Sequence, residues 1–183
     1  MRIVIRVVVA GLLLCLATSC VSRSGPDYLP VSSQPPTRSD VAGECATTDI
    51  VVTGGVDDEP KVTLPDEGTC IPPTVLLVRD LVRGTGPQAV TGSDLEVTYS
   101  MVTWSNGEVL DSTWYAGESL TVPAENLGRA ELVKGWTEGL PGIREGGRRL
   151  MVVPPDMGRQ GADESTGDET LVYVVDAVKV TTR

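Results

Sequence analysis

The chain has 183 residues, with 15 Lys and Arg against 25 Asp and Glu for a formal net charge of −10, four Cys, and neither His nor Phe. That length suits one globular domain with appendages. The absence of His excludes Ser-His-Asp and Cys-His nucleophile pairs, His-ligated metal sites and imidazole acid-base chemistry. The negative balance repels phosphate backbones and anionic lipid, which argues against a nucleic-acid partner and leaves only covalent or apolar routes to a membrane.

The N-terminus carries Arg2 and Arg6 and then runs without a charge from Val7 through Ala17, ahead of Thr18, Ser19 and Cys20. This is the outline of a secretion signal over residues 1–19, and the apolar run is about half of the roughly 20 residues that span a bilayer. A cysteine directly after small residues resembles the bacterial lipobox, in which the thiol is acylated and cleavage leaves that cysteine first. Ala17 stands where a lipobox usually has Leu, and an ordinary cleavage site with Cys20 as an incidental thiol is the alternative. The reading that follows is an exported protein anchored by lipid on the extracytoplasmic face of the cell membrane. Cys15 is removed with the signal, so Cys45 and Cys70 are the remaining pair, and two surviving thiols in an exported protein favour a disulfide. A metal site is the rival reading, but two distant Cys without His fall short of the usual four ligands.

Residues 20–44, with Pro26, Pro30, Pro35 and Pro36 and no sustained period, are expected to form an extended tether. A β-rich extension over residues 45–73 follows, with strands at Asp49–Thr53 and Pro60–Pro65. The main domain, residues 74–183, opens with a run from Thr74 to Leu81 that Gly84-Thr85-Gly86-Pro87 breaks. Leu95, Val97, Tyr99 and Met101 then alternate with polar neighbours through Trp104, the clearest period-2 signal in the chain. Asn106-Gly107 has the residues of a two-residue hairpin turn, returning through Glu108-Val109-Leu110. Glu131 to Leu140 places Leu132, Trp136 and Leu140 on one apolar face of a short helix, with Lys134 and Glu138 pointing away. Gly135 and Gly139 each weaken that helix by about 1 kcal/mol, so packing against the sheet must hold it. Further strands are expected at Arg149–Val153, stopped by Pro154-Pro155, and from Thr170 to Val180. The fold class is α+β, a curved antiparallel sheet wrapped around one short amphipathic helix.

From Thr74 to Val180 the order of these elements resembles an FKBP-type peptidyl-prolyl cis-trans isomerase domain. The resemblance is carried by Asp80-Leu81-Val82-Arg83-Gly84-Thr85-Gly86, Gly107-Glu108-Val109-Leu110-Asp111-Ser112-Thr113, Lys134-Gly135-Trp136-Thr137-Glu138-Gly139-Leu140, Gly146-Gly147-Arg148-Arg149, Val153-Pro154-Pro155-Asp156 and Thr170-Leu171-Val172-Tyr173-Val174-Val175-Asp176. It implies rotation about X-Pro bonds in exported polypeptide clients, with no covalent intermediate, cofactor or metal. It also implies a pocket with Trp136 as floor, Tyr99, Asp111 and Tyr173 in the catalytic cleft, and Leu132 and Val133 meeting the substrate through their backbone. Tyr173 replaces a family Phe and adds a hydroxyl.

Leu110 and Leu120 stand where the family has pocket Phe residues, and Arg159 where it has a Tyr that donates to a substrate carbonyl. Met101 replaces a Gly, Ala116 an Arg partner of the acid, and the acidic segment Ala162 to Glu169 an apolar run. An isomerase is therefore weighed against a non-catalytic chaperone or peptide-binding module on the same fold, favoured by the acidic rim and the missing rings, and against a scaffold without ligand.

Overall fold

The computed structural model describes residues 42–56, 58–115, 118–119, 121–128, 132–158 and 168–182. The expected signal segment, Cys20, most of the tether, Leu120, Arg159 and residues 162–167 of the acidic segment lie outside the described residues.

The strands are β1 (Val51–Thr53), β2 (Lys61–Thr63), β3 (Leu77–Val82), β4 (Asp94–Thr103), β5 (Val109–Ser112), β6 (Trp114–Tyr115), β7 (Glu118–Ser119), β8 (Val122–Ala124), β9 (Arg148–Val153) and β10 (Leu171–Thr181). The helices are α1 (Lys134–Gly139) and α2 (Pro155–Gly158). The main sheet runs in the order β3-β9-β10-β4-β5, with β8 also paired to β4, and every ladder in it is antiparallel. β10, the last of these strands in chain order, lies between β9 and β4.

Period-2 alternation in β4 and β10 divides the side chains between two cores. Leu95, Val97 and Met101 join Met151, Val153, Leu171, Tyr173 and Val175 on the face that α1 covers, with Trp136 and Leu140. Val102, Leu150, Val152, Val172 and Val174 form a second cluster on the opposite face with Ile50, and Val52, Val62 and Leu64 of the leading extension pack against it. The extension is thus a second layer on the sheet. Its β1–β2 hairpin is held by Arg148, which donates to the carbonyls of Gly54 and Asp58 at 3.0 and 2.8 Å. Arg148 also makes a two-pronged pair with Asp176, at 2.6 and 2.7 Å, with the two side chains 1% and 2% exposed. Cys45 and Cys70 are bonded across a separation of 25 residues, which on the chain-entropy view stabilises the fold by about 3 kcal/mol.

The structure corrects two expectations and adds to a third. The helix starts later than Glu131–Leu140, because Val133 is extended at the N-cap (φ −56°, ψ 142°) and Leu132 precedes the helical residues. Pro154-Pro155 ends β9 but does not end regular structure: Pro155 opens α2, where its fixed φ suits the first helical position and its missing N–H costs nothing. The β4–β5 turn is longer than two residues. Thr103 N–H donates to the Glu108 carbonyl at 3.0 Å across Trp104–Gly107, and Gly107 supplies the positive φ of 69° that the turn needs.

Candidate active site

A row of cross-strand neighbours builds one wall of a cavity. Tyr173 of β10 stands opposite Met101 of β4, and Met101 opposite Asp111 of β5. Because alternate residues of β4 share a face, Tyr99 projects from the next row toward the same side. α1 closes the bottom. The cavity, of about 190 Å³, is lined by Tyr99, Met101, Asp111, Leu132, Val133, Trp136 and Tyr173.

The helix reaches the sheet because it carries no side chains at two contact points. A Cβ on Gly135 would lie 2.6 Å from Val153 Cγ1, and one on Gly139 would lie 2.5 Å from Met151 Sδ. Such distances are far inside van der Waals contact, so a side chain at Gly135 would collide with the branched Val153, and one at Gly139 would force the Met151 thioether to shift. The end of α1 is pinned by Arg149, whose Nη1 donates to the carbonyls of Gly139, Leu140 and Pro141 while its Nε pairs with Asp80 Oδ1 at 2.6 Å. These bonds satisfy orphan carbonyls of the helix terminus and fix where Trp136 stands.

Trp136 meets both tyrosine rings edge to face, and the two tyrosines are tilted at 47° to each other. Trp136 lies 5.2 Å from Tyr99 at 86° and 5.9 Å from Tyr173 at 81°, and the two tyrosines are 6.3 Å apart. This geometry suits aromatic quadrupoles and stiffens the floor. Trp136 is 8% exposed, and its indole N–H is buried with no partner among the described residues. The Tyr99 hydroxyl donates to Asp111 Oδ2 at 2.5 Å, and Asp111 Oδ1 accepts the Ser112 amide at 2.8 Å. Burial, and secondarily the charge of Asp111, pushes the Tyr173 phenol up from 10.0 to about 12.

Of the residues singled out in the sequence, the cavity therefore brings together Tyr99, Asp111, Leu132, Val133, Trp136 and Tyr173. Leu110 stays outside the lining and is 47% exposed. The cause is a register shift: Val102 faces Val109 and Met101 faces Asp111, so Leu110 is the extra residue of a bulge. Met101, read in the sequence as a member of the β4 alternation and as the loss of a Gly but not as a site residue, lines the cavity. Its inward phase in the β4 alternation was the available signal. Of the acidic segment, Asp168 and Glu169 are described and neither lines the cavity; Glu169 accepts the Ser105 amide at 2.8 Å.

Comparison with known proteins adds four findings. The family of FKBP-type peptidyl-prolyl cis-trans isomerases matches residues 86–178. A probable FK506-binding protein of Corynebacterium glutamicum is 32% identical over 123 residues, covering 66% of this chain and 98% of that protein. An FK506-binding protein of Streptomyces anulatus is 34% identical over 128 residues, covering 67% and 98%. Among solved structures, AtFKBP13 is 27% identical with a TM-score of 0.47, covering 58% of this chain and 93% of that one.

Proposed function

The chain belongs to the FKBP-type peptidyl-prolyl cis-trans isomerase family, and from that premise we propose how its cleft turns an X-Pro bond. The observation that carries the reading is the convergence of Tyr99, Asp111, Trp136 and Tyr173 on one small cavity. Rotation about the bond breaks amide resonance, against a barrier of about 18–20 kcal/mol, and without help takes tens of seconds or more.

A prolyl ring seated on the Trp136 indole, between Tyr99, Met101 and Tyr173, leaves water behind. The planar amide is more polar than the twisted one, so a dry wall raises the ground state relative to the transition state. Leu132 and Val133, extended before α1, offer backbone groups that hold the flanking peptide in a turn. Asp111 keeps the Tyr99 ring in place through the 2.5 Å bond and closes the rim. The N-terminal features support a chain that works on exported polypeptides while tethered to the membrane through a lipid on Cys20.

A protease-coupled proline isomerisation assay on the protein tests the mechanism. Turnover above buffer is expected, with a loss of at least about tenfold in kcat/KM for Trp136→Ala and a smaller loss for Asp111→Ala, both with the fold retained. Rates equal to buffer for the folded protein would leave only a peptide-binding module. The outward position of Leu110, which thins the wall, favours that second reading.

A further inference from the structure

A peptide that enters a water-excluding cleft strips water from its own carbonyls. A carbonyl left without a donor is penalised, so the donors available in the cleft decide which peptide geometry is held. Besides the backbone groups of Leu132 and Val133, those donors are few. Met101, Leu132 and Val133 have no N–H or O–H in their side chains, and ionised Asp111 only accepts. The Tyr99 hydroxyl is already given to Asp111, and the Trp136 indole N–H is sealed within the floor. The Tyr173 hydroxyl makes no hydrogen bond among the described residues, although its ring lines the cavity.

We propose that the Tyr173 hydroxyl is the donor that grips a carbonyl flanking the substrate prolyl bond. The proposal rests on the isomerase reading of this cavity and names a group that reading does not use. The resemblance places a carbonyl-donating Tyr where this chain has Arg159, and a Phe, which cannot donate, where it has Tyr173. By that resemblance one hydroxyl is lost in sequence at position 159 and another is gained on β10 at Tyr173. The Tyr173 ring is held edge-on by Trp136 and faces Met101 across the β10–β4 ladder. With its phenol pushed up to about 12, Tyr173 stays protonated, and hence a donor, across the working pH range.

The test uses Tyr173→Phe, which keeps the ring and removes only the oxygen. The expected result is a fall of about three- to tenfold in kcat/KM, carried by KM with kcat little changed, because a bond made equally in the ground and transition states is uniform binding. Peptides in which each carbonyl flanking the prolyl bond is reduced in turn to a methylene identify the acceptor. For one of them, binding to wild type falls by a similar factor, and Tyr173→Phe binds it as weakly as wild type does.

If Tyr173→Phe keeps wild-type KM and affinity within about twofold, or loses affinity equally for every reduced peptide, the assignment is wrong and the isomerase reading survives. If the wild type binds peptide without turning it over, the isomerase reading fails and the affinity comparison still decides the donor. A wild type that neither binds nor turns over removes both. Should Tyr173→Phe fold poorly, the reduced peptides on wild type alone decide: no loss with any of them overturns the proposal.

Discussion

Tyr173 couples the cleft to the pH dependence of stability. Its phenol titrates at about 12 in the folded chain, against an ordinary value of 10.0. Below pH 10.0 both folded and unfolded chains keep the proton, and stability is unaffected. Between 10.0 and about 12 the unfolded chain releases its proton while the folded chain holds it, so unfolding becomes easier as pH rises. Thermal denaturation should therefore show a melting temperature that drops across this interval, and Tyr173→Phe should show a smaller drop; equal slopes would mean that other groups set the alkaline limit. At this scale the sequence was informative wherever a side chain's phase or motif fixed its direction. Tyr99 and Met101 alternate inward, and Trp136 sits on the only apolar face of its helix. Leu110 misled because a bulge changes phase without changing composition: nothing in Val109-Leu110-Asp111 announces that one residue is skipped by its partner strand.

The same sequence read at the level of elements predicted α1 and that packing against the sheet must hold it, but not that its glycines are the points of contact. As helix formers Gly135 and Gly139 are costly; as contact surfaces they let α1 sit against Val153 and Met151. Propensity is a property of the residue, whereas close approach belongs to the pair of elements and is invisible until both are placed. Arg148 and Arg149 show the same limit. In sequence they are two adjacent cations after a turn, but adjacent strand residues point to opposite faces. Arg149 thus caps the helix, and Arg148 holds the hairpin from beneath the sheet. Arg148→Leu leaves Asp176 buried without its cation, and such a change is expected to cost about 3–5 kcal/mol. Denaturant unfolding would register it as a lower midpoint, with the β1–β2 hairpin released to proteolysis first. The double variant Arg148→Leu, Asp176→Leu should recover part of the loss, and no recovery would shift the weight to the carbonyl bonds of Gly54 and Asp58.

For the whole molecule, the leading extension changes what the domain presents to solvent. Residues 45–73 read as short strands without an indicated docking face, because Ile50, Val52, Val62 and Leu64 are too widely spaced to declare a partner. In the structure they cover the sheet face turned away from the cleft, so both sheet faces are occupied and the cleft keeps its own. Anchorage belongs to this scale as well. The proposed acylation of Cys20 should appear in native protein as a mass increase from lipid on a mature N-terminus at that residue; an unmodified N-terminus elsewhere would contradict it. The position of β10 governs how this architecture is assembled. Its two neighbours, β9 and β4, are joined by no other ladder among the described residues, so the sheet is closed between them by this strand alone. The cleft, which takes Tyr173 from this strand and Tyr99 and Met101 from β4, is therefore completed only when the strand settles between its neighbours.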